Sequence, residues 1–351
     1  MNHYKSIQER DLEAKAKAEI QSRHLTKFVC NFFFFFITLK KKKKKDQSYF
    51  KKLDSFFAKY FKQLQVCKGH LDWVNDVQFS PDGHVVVSSS NDGTIRLWDM
   101  TSGQQIRILQ GHSRWVSKAQ FSTDGNMIVS CSSDSTIRIW DVMSGREMQK
   151  LQCDPVVATG AIFSFDSQHI ASCSDDAIIR IWSVQSGKVI QQFEGHSDWV
   201  TQVRFSHDGQ MLISSSYDTT IAIWNLKSAQ KIQQLRGHTD GVLGVQFSAN
   251  DRAVVSCSKD RTIRIWNVAS GREIRRLVGH LEYVRAVQFS SDNEIIVSCS
   301  NDRTIRTWDV SSGRELQRFE GHSASVTGVH ISVDGETIVS SSNDGTIRLW
   351  G

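Results

Sequence analysis

Residues 69 to 99 read GHLDWVNDVQFSPDGHVVVSSSNDGTIRLWD, and their pattern decides the fold. Apolar and polar residues alternate with period two inside short runs that turn residues separate, as in half-buried strands and unlike helices. Val74 to Phe79 reads as a first strand, Ser80-Pro81-Asp82-Gly83 as a turn and Val85 to Ser90 as a second strand. Asn91-Asp92-Gly93 is a tight-turn signal, Thr94 to Trp98 a third strand, and Thr101-Ser102-Gly103 leads into a fourth, Gln105 to Gln110.

The stretch recurs. Gly-His returns at Gly111-His112, Gly195-His196, Gly237-His238, Gly279-His280 and Gly321-His322, always at 42 residues or twice that, and only Cys153-Asp154 breaks the series. A tryptophan follows each site by 28 residues, at Trp98, Trp140, Trp182, Trp224, Trp266, Trp308 and Trp350. Seven repeats thus run from residue 70 to 351 without insertion or deletion. Four short antiparallel strands per repeat predict the blade of a propeller, each blade burying its neighbour's apolar face. With Gly-His near the start and Trp98-Asp99, Trp140-Asp141 and Trp308-Asp309 at the end, weakened to Trp182-Ser183, Trp224-Asn225 and Trp266-Asn267, the repeat resembles the WD-repeat signature. The expected fold class is all-β, a seven-bladed β-propeller over residues 61–351 behind an N-terminal extension of residues 1–60 that is mostly helical or disordered. The chain stops one strand short of a seventh blade. Gln63 to Lys68, which aligns 42 residues before Gln105 to Gln110, is expected to complete that blade and remove an edge.

With 39% apolar residues and two prolines in 351, the chain can bury a large core. Seven cysteines include no CxxC pair, and Cys131, Cys173, Cys257 and Cys299 share one repeat position, which fits small buried residues in a reducing compartment. Residues 1–60 carry 15 Lys/Arg against 6 Asp/Glu, whereas the remainder is net −3. Within this extension, Tyr4 to Leu25 reads as a polar helix and Asp54 to Leu64 as a short amphipathic helix. Phe28 to Leu39, including Phe32 to Phe36, is 12 residues where a bilayer span needs ~20, and Lys40 to Lys45 follow it, opposite to a secretory signal. The expectation is a cytoplasmic or nuclear protein, neither secreted nor membrane-spanning. The Phe/Lys run is compatible with contact to an anionic membrane or to nucleic acid. It is equally what T-rich and A-rich non-coding sequence would encode.

Histidines, aspartates and serines at regular spacing invite a catalytic or metal reading, but every repeat holds its own set. The resemblance implies a hydrogen-bonded network from tight-turn Asp through His to Ser and Trp, a structural role. Its members are His70, Ser88, Asp92 and Trp98; His112, Ser130, Asp134 and Trp140; His196, Ser214, Asp218 and Trp224; His238, Ser256, Asp260 and Trp266; His280, Ser298, Asp302 and Trp308; and His322, Ser340, Asp344 and Trp350. Ser90 competes with Ser88 for this role, because both positions are Ser in all repeats and share one face of the strand. In the third repeat Asp154 stands for the His and cannot donate to Asp176 unless protonated, so that network is expected to be broken. Arg96, Arg138, Arg180, Arg264, Arg306 and Arg348 recur before the Trp, Ala222 being the exception, and intra-blade pairing is the expected use. No Walker A, GxSxG, HExxH or paired CxxC pattern occurs, so no catalytic residue, metal or cofactor is expected.

Partners of the family commonly meet the face that carries the start of the innermost strand and the tight turn. The matching positions that vary between repeats include Trp73, Asn75, Trp115, Asp175, Trp199, Tyr217, Leu243, Lys259, Tyr283 and Arg285. Trp, Tyr and Arg are the residue types enriched at binding hot spots. The expected function is therefore a non-enzymatic scaffold or adaptor binding other proteins, chiefly through peptide or loop segments, with no small-molecule substrate. Arg285 with Lys259 admits an acidic or phosphorylated segment. The rival reading is RNA or anionic-membrane binding through the basic extension.

Overall fold

The computed structural model describes residues 62–153 and 155–351. The expected helix over Tyr4 to Leu25, the Phe/Lys run, most of the expected helix Asp54 to Leu64 and the substituted residue Asp154 lie outside the described residues. The two last residues of that second helix do not join it: Gln63 and Leu64 begin strand β1 (Gln63–Lys68). There the edge of another strand offers them a ladder of backbone partners.

Among the described residues, twenty-eight strands form seven four-stranded antiparallel sheets. Blade 1 consists of β2 (Val74–Phe79), β3 (Val85–Ser90), β4 (Ile95–Asp99) and β5 (Gln105–Leu109), hydrogen-bonded in that order from the innermost strand outward. Blades 2 to 6 repeat this order. Blade 7 comprises β26 (Val326–Ile331), β27 (Ile338–Ser342) and β28 (Thr346–Trp350), and β1 pairs with β28 on its outer edge, Cys67 opposite Ile347 and Lys68 opposite Thr346.

The core lies between blades. Val87, Ile95, Leu97 and Leu109 of blade 1 pack against Val116, Ala119, Phe121, Ile128 and Trp140 of blade 2, and six further clusters repeat the arrangement around the ring. Cys67, Val339, Ile347 and Leu349 of blade 7 pack on Val74, Val77, Phe79, Val86 and Trp98 of blade 1. Every innermost strand carries a register shift near its start, as between Val74 and Asp76. This bulge breaks the alternation of sides. Val74, Val77 and Phe79 are buried between blades, while Asp76 and Gln78 line a central cavity of about 760 Å³.

Candidate partner-binding rim

In six blades the buried network is complete. The Trp98 indole Nε1–H donates to Ser88 Oγ at 2.8 Å, Ser88 Oγ lies 2.8 Å from His70 Nε2, and His70 Nδ1 lies 2.9 Å from Asp92 Oδ2. Blades 2, 4, 5, 6 and 7 repeat the chain with His–Asp distances of 2.7 to 3.0 Å. Donor accounting fixes the protons: the serine O–H donates to Nε2, so a neutral imidazole donates from Nδ1 to an ionised carboxylate. Burial holds His70, His112, His238, His280 and His322 below their ordinary value, outweighing the pull of the aspartate beside each. Burial acts to raise the Asp92 carboxyl, but hydrogen bonds from His70, the Thr94 hydroxyl and the Leu71 N–H outweigh it and hold it far below the usual range. Ser90 serves elsewhere: its hydroxyl caps the Asp92 N–H and bonds the Asp72 carbonyl.

Blade 3 departs from this plan and blade 4 departs only at the arginine position beside it, and each adjusts locally. In blade 3, Asp176 is gripped by Arg180, Nη2 to Oδ2 at 2.6 Å, while Trp182 still donates to Ser172. Arg180 is available because its usual outer acceptor is missing. Arg138, Arg264 and Arg306 reach Glu147, Glu273 and Glu315 on the outermost strands, Arg96 reaches Gln105 and Arg348 reaches Gln63. The corresponding residue in blade 3 is Val189. In blade 4, Ala222 leaves the arginine's space to Lys231 from the outer strand, whose ammonium bonds the Gly195 carbonyl at 2.7 Å and lies 5.3 Å from the Trp224 ring. Cys131, Cys173, Cys257 and Cys299 are buried free thiols whose pKa values burial pushes up, and burial pushes that of Cys153 up to about 12. Among the described residues no group of His, Cys, Asp or Glu has the arrangement of a metal site.

With the network accounted for, the rim stands out by residue type. Seven of the ten tryptophans donate to buried serines, while Trp73, Trp115 and Trp199 are 51%, 54% and 48% exposed at the starts of innermost strands. Tyr217 and Tyr283 are the two tyrosines after residue 60, and both lie here, Tyr283 being 39% exposed. Trp199 stacks on Tyr217 with centroids 5.8 Å apart. The ammonium of Lys259 lies 4.1 Å from the Tyr217 ring centroid and 5.9 Å from that of Tyr283. Three other expected rim residues are engaged within the fold. Leu243 is 9% exposed and belongs to an inter-blade cluster. Asn75 bonds Asn91 and the Val116 carbonyl of the next blade, a tie that Thr159, Thr201 and Thr327 repeat in theirs. Asp175 accepts the Val157 N–H. Arg285 lines the mouth of the central cavity.

Two groups of residues escaped the sequence reading. Arg261 and Arg303 occupy tight-turn positions at φ 67° and 68°, where Gly93 and Gly345 stand in blades 1 and 7. Asp76, Lys118, Arg204 and His330 line the cavity. Burial pushes Asp76 up against the opposing pull of Lys118 and Arg204, and burial followed by Arg204 pushes His330 down to about 3. Comparing repeats at fixed offsets would have flagged both groups, since each occupies variable positions of an otherwise regular array.

A family model described as "WD domain, G-beta repeat" matches residues 61–99, 103–141, 148–183, 187–225, 229–267, 271–309 and 313–351. Among curated proteins, the chain is 60% identical over 38 residues to apoptotic protease-activating factor 1 of Danio rerio, covering 11% of this chain and 3% of that protein. It is 46% identical over 43 residues to serine-threonine kinase receptor-associated protein of Gallus gallus, 12% of each chain. To WD repeat-containing protein GTS1 of Arabidopsis thaliana it is 56% identical over 43 residues, 11% of each. The matched segments thus span between 3% and 12% of these relatives, about one blade.

Proposed function

We propose, from the premise that the chain belongs to the WD-repeat family, that it is a non-enzymatic scaffold or adaptor whose partners, peptide or loop segments of other proteins, dock on the aromatic rim of the propeller. One observation carries this reading: the aromatic side chains that the internal network does not use, Trp73, Trp115, Trp199 and Tyr283, are exposed together on the rim. Large amphipathic rings left in water are costly for a monomer and suit an interface. Recurring polar residues are consumed within blades, and burial raises the pKa values of the described cysteines, which leaves no activated thiolate among them. No cofactor or small-molecule substrate enters this reading, and the expected compartment is the cytoplasm or nucleus.

The test is partner capture from cell extract by the chain and by a variant with Trp73, Trp115, Trp199 and Tyr283 all changed to Ala, both shown folded by circular dichroism. Loss of partners with the variant supports the rim, and unchanged capture refutes it. The second reading, nucleic-acid or anionic-membrane binding by residues 1–60, rests on their 15 Lys/Arg against 6 Asp/Glu. Deleting residues 1–59 would abolish such binding and spare capture by the rim.

A further inference from the structure

The rim is not electrically uniform. On blades 5 and 6 it carries Lys259, Arg261, Arg285 and Arg303, and among the described residues none of the four is in an ion pair. The arginines inside the same blades are ion-paired, Arg264 with Glu273 and Asp260, Arg306 with Glu315 and Asp302. The exposed acids of this sector are Asp240, which accepts the Gly241 N–H, and Glu282. On blades 1, 3 and 4 the corresponding loops carry Asp72, Asp175 and Asp198, and Arg114 on blade 2 is the one cation among these loops outside the sector.

The sector is also built. Gly241 stands where other blades carry Trp73, Trp115, Trp199 or Tyr283, and a Cβ there would lie 2.7 Å from Tyr217 Cδ1. Its missing side chain lets Tyr217 lie across the gap, stacked on Trp199 on one side and beneath the Lys259 ammonium on the other. Lys259 is thereby held near two aromatic faces, and part of its ordering is complete before any partner arrives. Arg261 and Arg303 take the left-handed backbone that this turn position has in every blade, as do Ser135, Ala177 and Thr219, and are the two cations among these positions.

We propose that this sector of blades 5 and 6 is an acidic-peptide site: a segment rich in Asp and Glu lies across Lys259, Arg261 and Arg303 toward Arg285 at the cavity mouth, its apolar side chains resting on the Trp199–Tyr217–Tyr283 surface. The inference rests on the rim reading above and adds the partner's chemistry. A peptide fits better than a nucleic acid, because four cations confined to two blades match a short acidic segment, whereas the propeller as a whole, net −3 over residues 61–351 with these cations included, repels an extended polyanion.

The test is selection of the full chain against a random library of twelve-residue peptides, repeated with the triple variant K259E/R261E/R303E, with the control Arg114→Glu and with the rim variant lacking its four aromatics. The expected result is at least a fourfold enrichment of Asp and Glu over Lys and Arg in peptides bound by the chain. That enrichment is lost with the triple variant and kept with the control. For the strongest peptide, Kd rises at least tenfold in the triple variant, and an oligo-dT strand competes more weakly than the peptide. Absence of acidic enrichment, its persistence in the triple variant, equal loss in the control, or tighter binding of oligo-dT overturns the inference. Neutral peptides bound equally by the chain and the triple variant, but lost with the aromatic variant, would sink the acidic site and leave the rim reading intact. Peptide binding and partner capture both unchanged in the aromatic variant would sink the rim reading itself. Should the triple variant fail to fold, Lys259→Gln combined with Arg303→Gly, which relieves backbone strain, provides the same readout.

Discussion

Each network serine is a hub, accepting from an indole and donating to an imidazole, so its loss orphans two buried groups at once. For Ser130 these are Trp140 Nε1 and His112 Nε2, both at 2.8 Å. Ser130→Ala is therefore expected to lower unfolding free energy by about 1–3 kcal/mol for each group left without a partner. Exposed Ser113→Ala is expected to stay within about 0.5 kcal/mol of the parent. Urea unfolding of both variants measures the difference, and equal midpoints would remove the hub role. The same chemistry fixes a pH dependence. His70, His112, His238, His280 and His322 lie below their ordinary 6.5, so as pH falls under 6.5 the unfolded chain binds protons that the fold refuses, and stability declines. The network carboxylates of Asp92, Asp134, Asp302 and Asp344, held below their ordinary 3.8, add a second loss of the same sign under pH 3.8. Melting temperatures across pH 8 to 3 are expected to fall from 6.5 downward and more steeply at the acid end; a maximum near pH 5 would contradict the neutral histidines. The choice between Ser88 and Ser90 was not legible in sequence because period two puts both on one face. Depth decides it: Ser88 sits under the indole, and Ser90 sits at the strand end beside the turn that it caps.

At the scale of the blade, departures from the consensus are coupled across strands. Val189 on β13 (Val189–Phe193) offers no acceptor, and Arg180 on β12 (Ile179–Ser183) turns to Asp176; Ala222 vacates a space that Lys231 fills. Arg180 replaces a fully buried imidazole bond with a pair whose partners are both partly exposed. Amides of blade 3 are accordingly expected to exchange hydrogen faster than the matching amides of blade 2, and equal protection would show the substitute to be as good. A turn prediction follows the same logic. Arg303 at φ 68° stands where Gly345 stands at 77°, so Arg303→Gly is expected to raise stability by roughly 1 kcal/mol while weakening capture of acidic peptides, seen by paired melting and binding measurements. The strand bounds were legible: Val74–Phe79 stops at the turn signal Ser80-Pro81-Asp82-Gly83 and Val85–Ser90 at Asn91-Asp92-Gly93, as the sequence predicts. The cavity lining was not. The bulge after Val74 shifts Asp76 and Gln78 inward, and simple alternation does not register an inserted residue. Of the site, the aromatic positions were legible from variation at fixed offsets. The stack of Tyr217 on Trp199 depends on the bare backbone of Gly241 in the adjoining blade, a spatial neighbour that periodicity along the chain does not reveal.

For the whole ring, the seven inter-blade clusters are in series, and the junction between blades 7 and 1 is the one that local sequence cannot make. Beside it β1 pairs Val66 with Arg348 and Cys67 with Ile347, buries Cys67 against blade 1, and presents Gln63 to the Arg348 guanidinium. Without β1 the edge of β28 is bare, Cys67 leaves a gap in a cluster shared by two blades, and Arg348 loses its outer partner. Each lost backbone bond is worth about 0.5–1.5 kcal/mol, so removing the strand is expected to cost several kcal/mol, a large share of the roughly 5–15 kcal/mol by which domains are stable. An exposed edge also invites pairing with other chains. A chain beginning at Lys62 is thus expected to melt like the full protein, whereas one beginning at Gly69 melts at a markedly lower temperature and forms larger species in gel filtration. Adding a synthetic peptide of residues 62–68 in excess is expected to restore part of the lost stability, since a ligand that binds only the folded ring stabilises it by mass action. If the chain beginning at Gly69 melts unchanged as a monomer, the ring is held by its apolar inter-blade contacts alone, and β1 is decoration on blade 7.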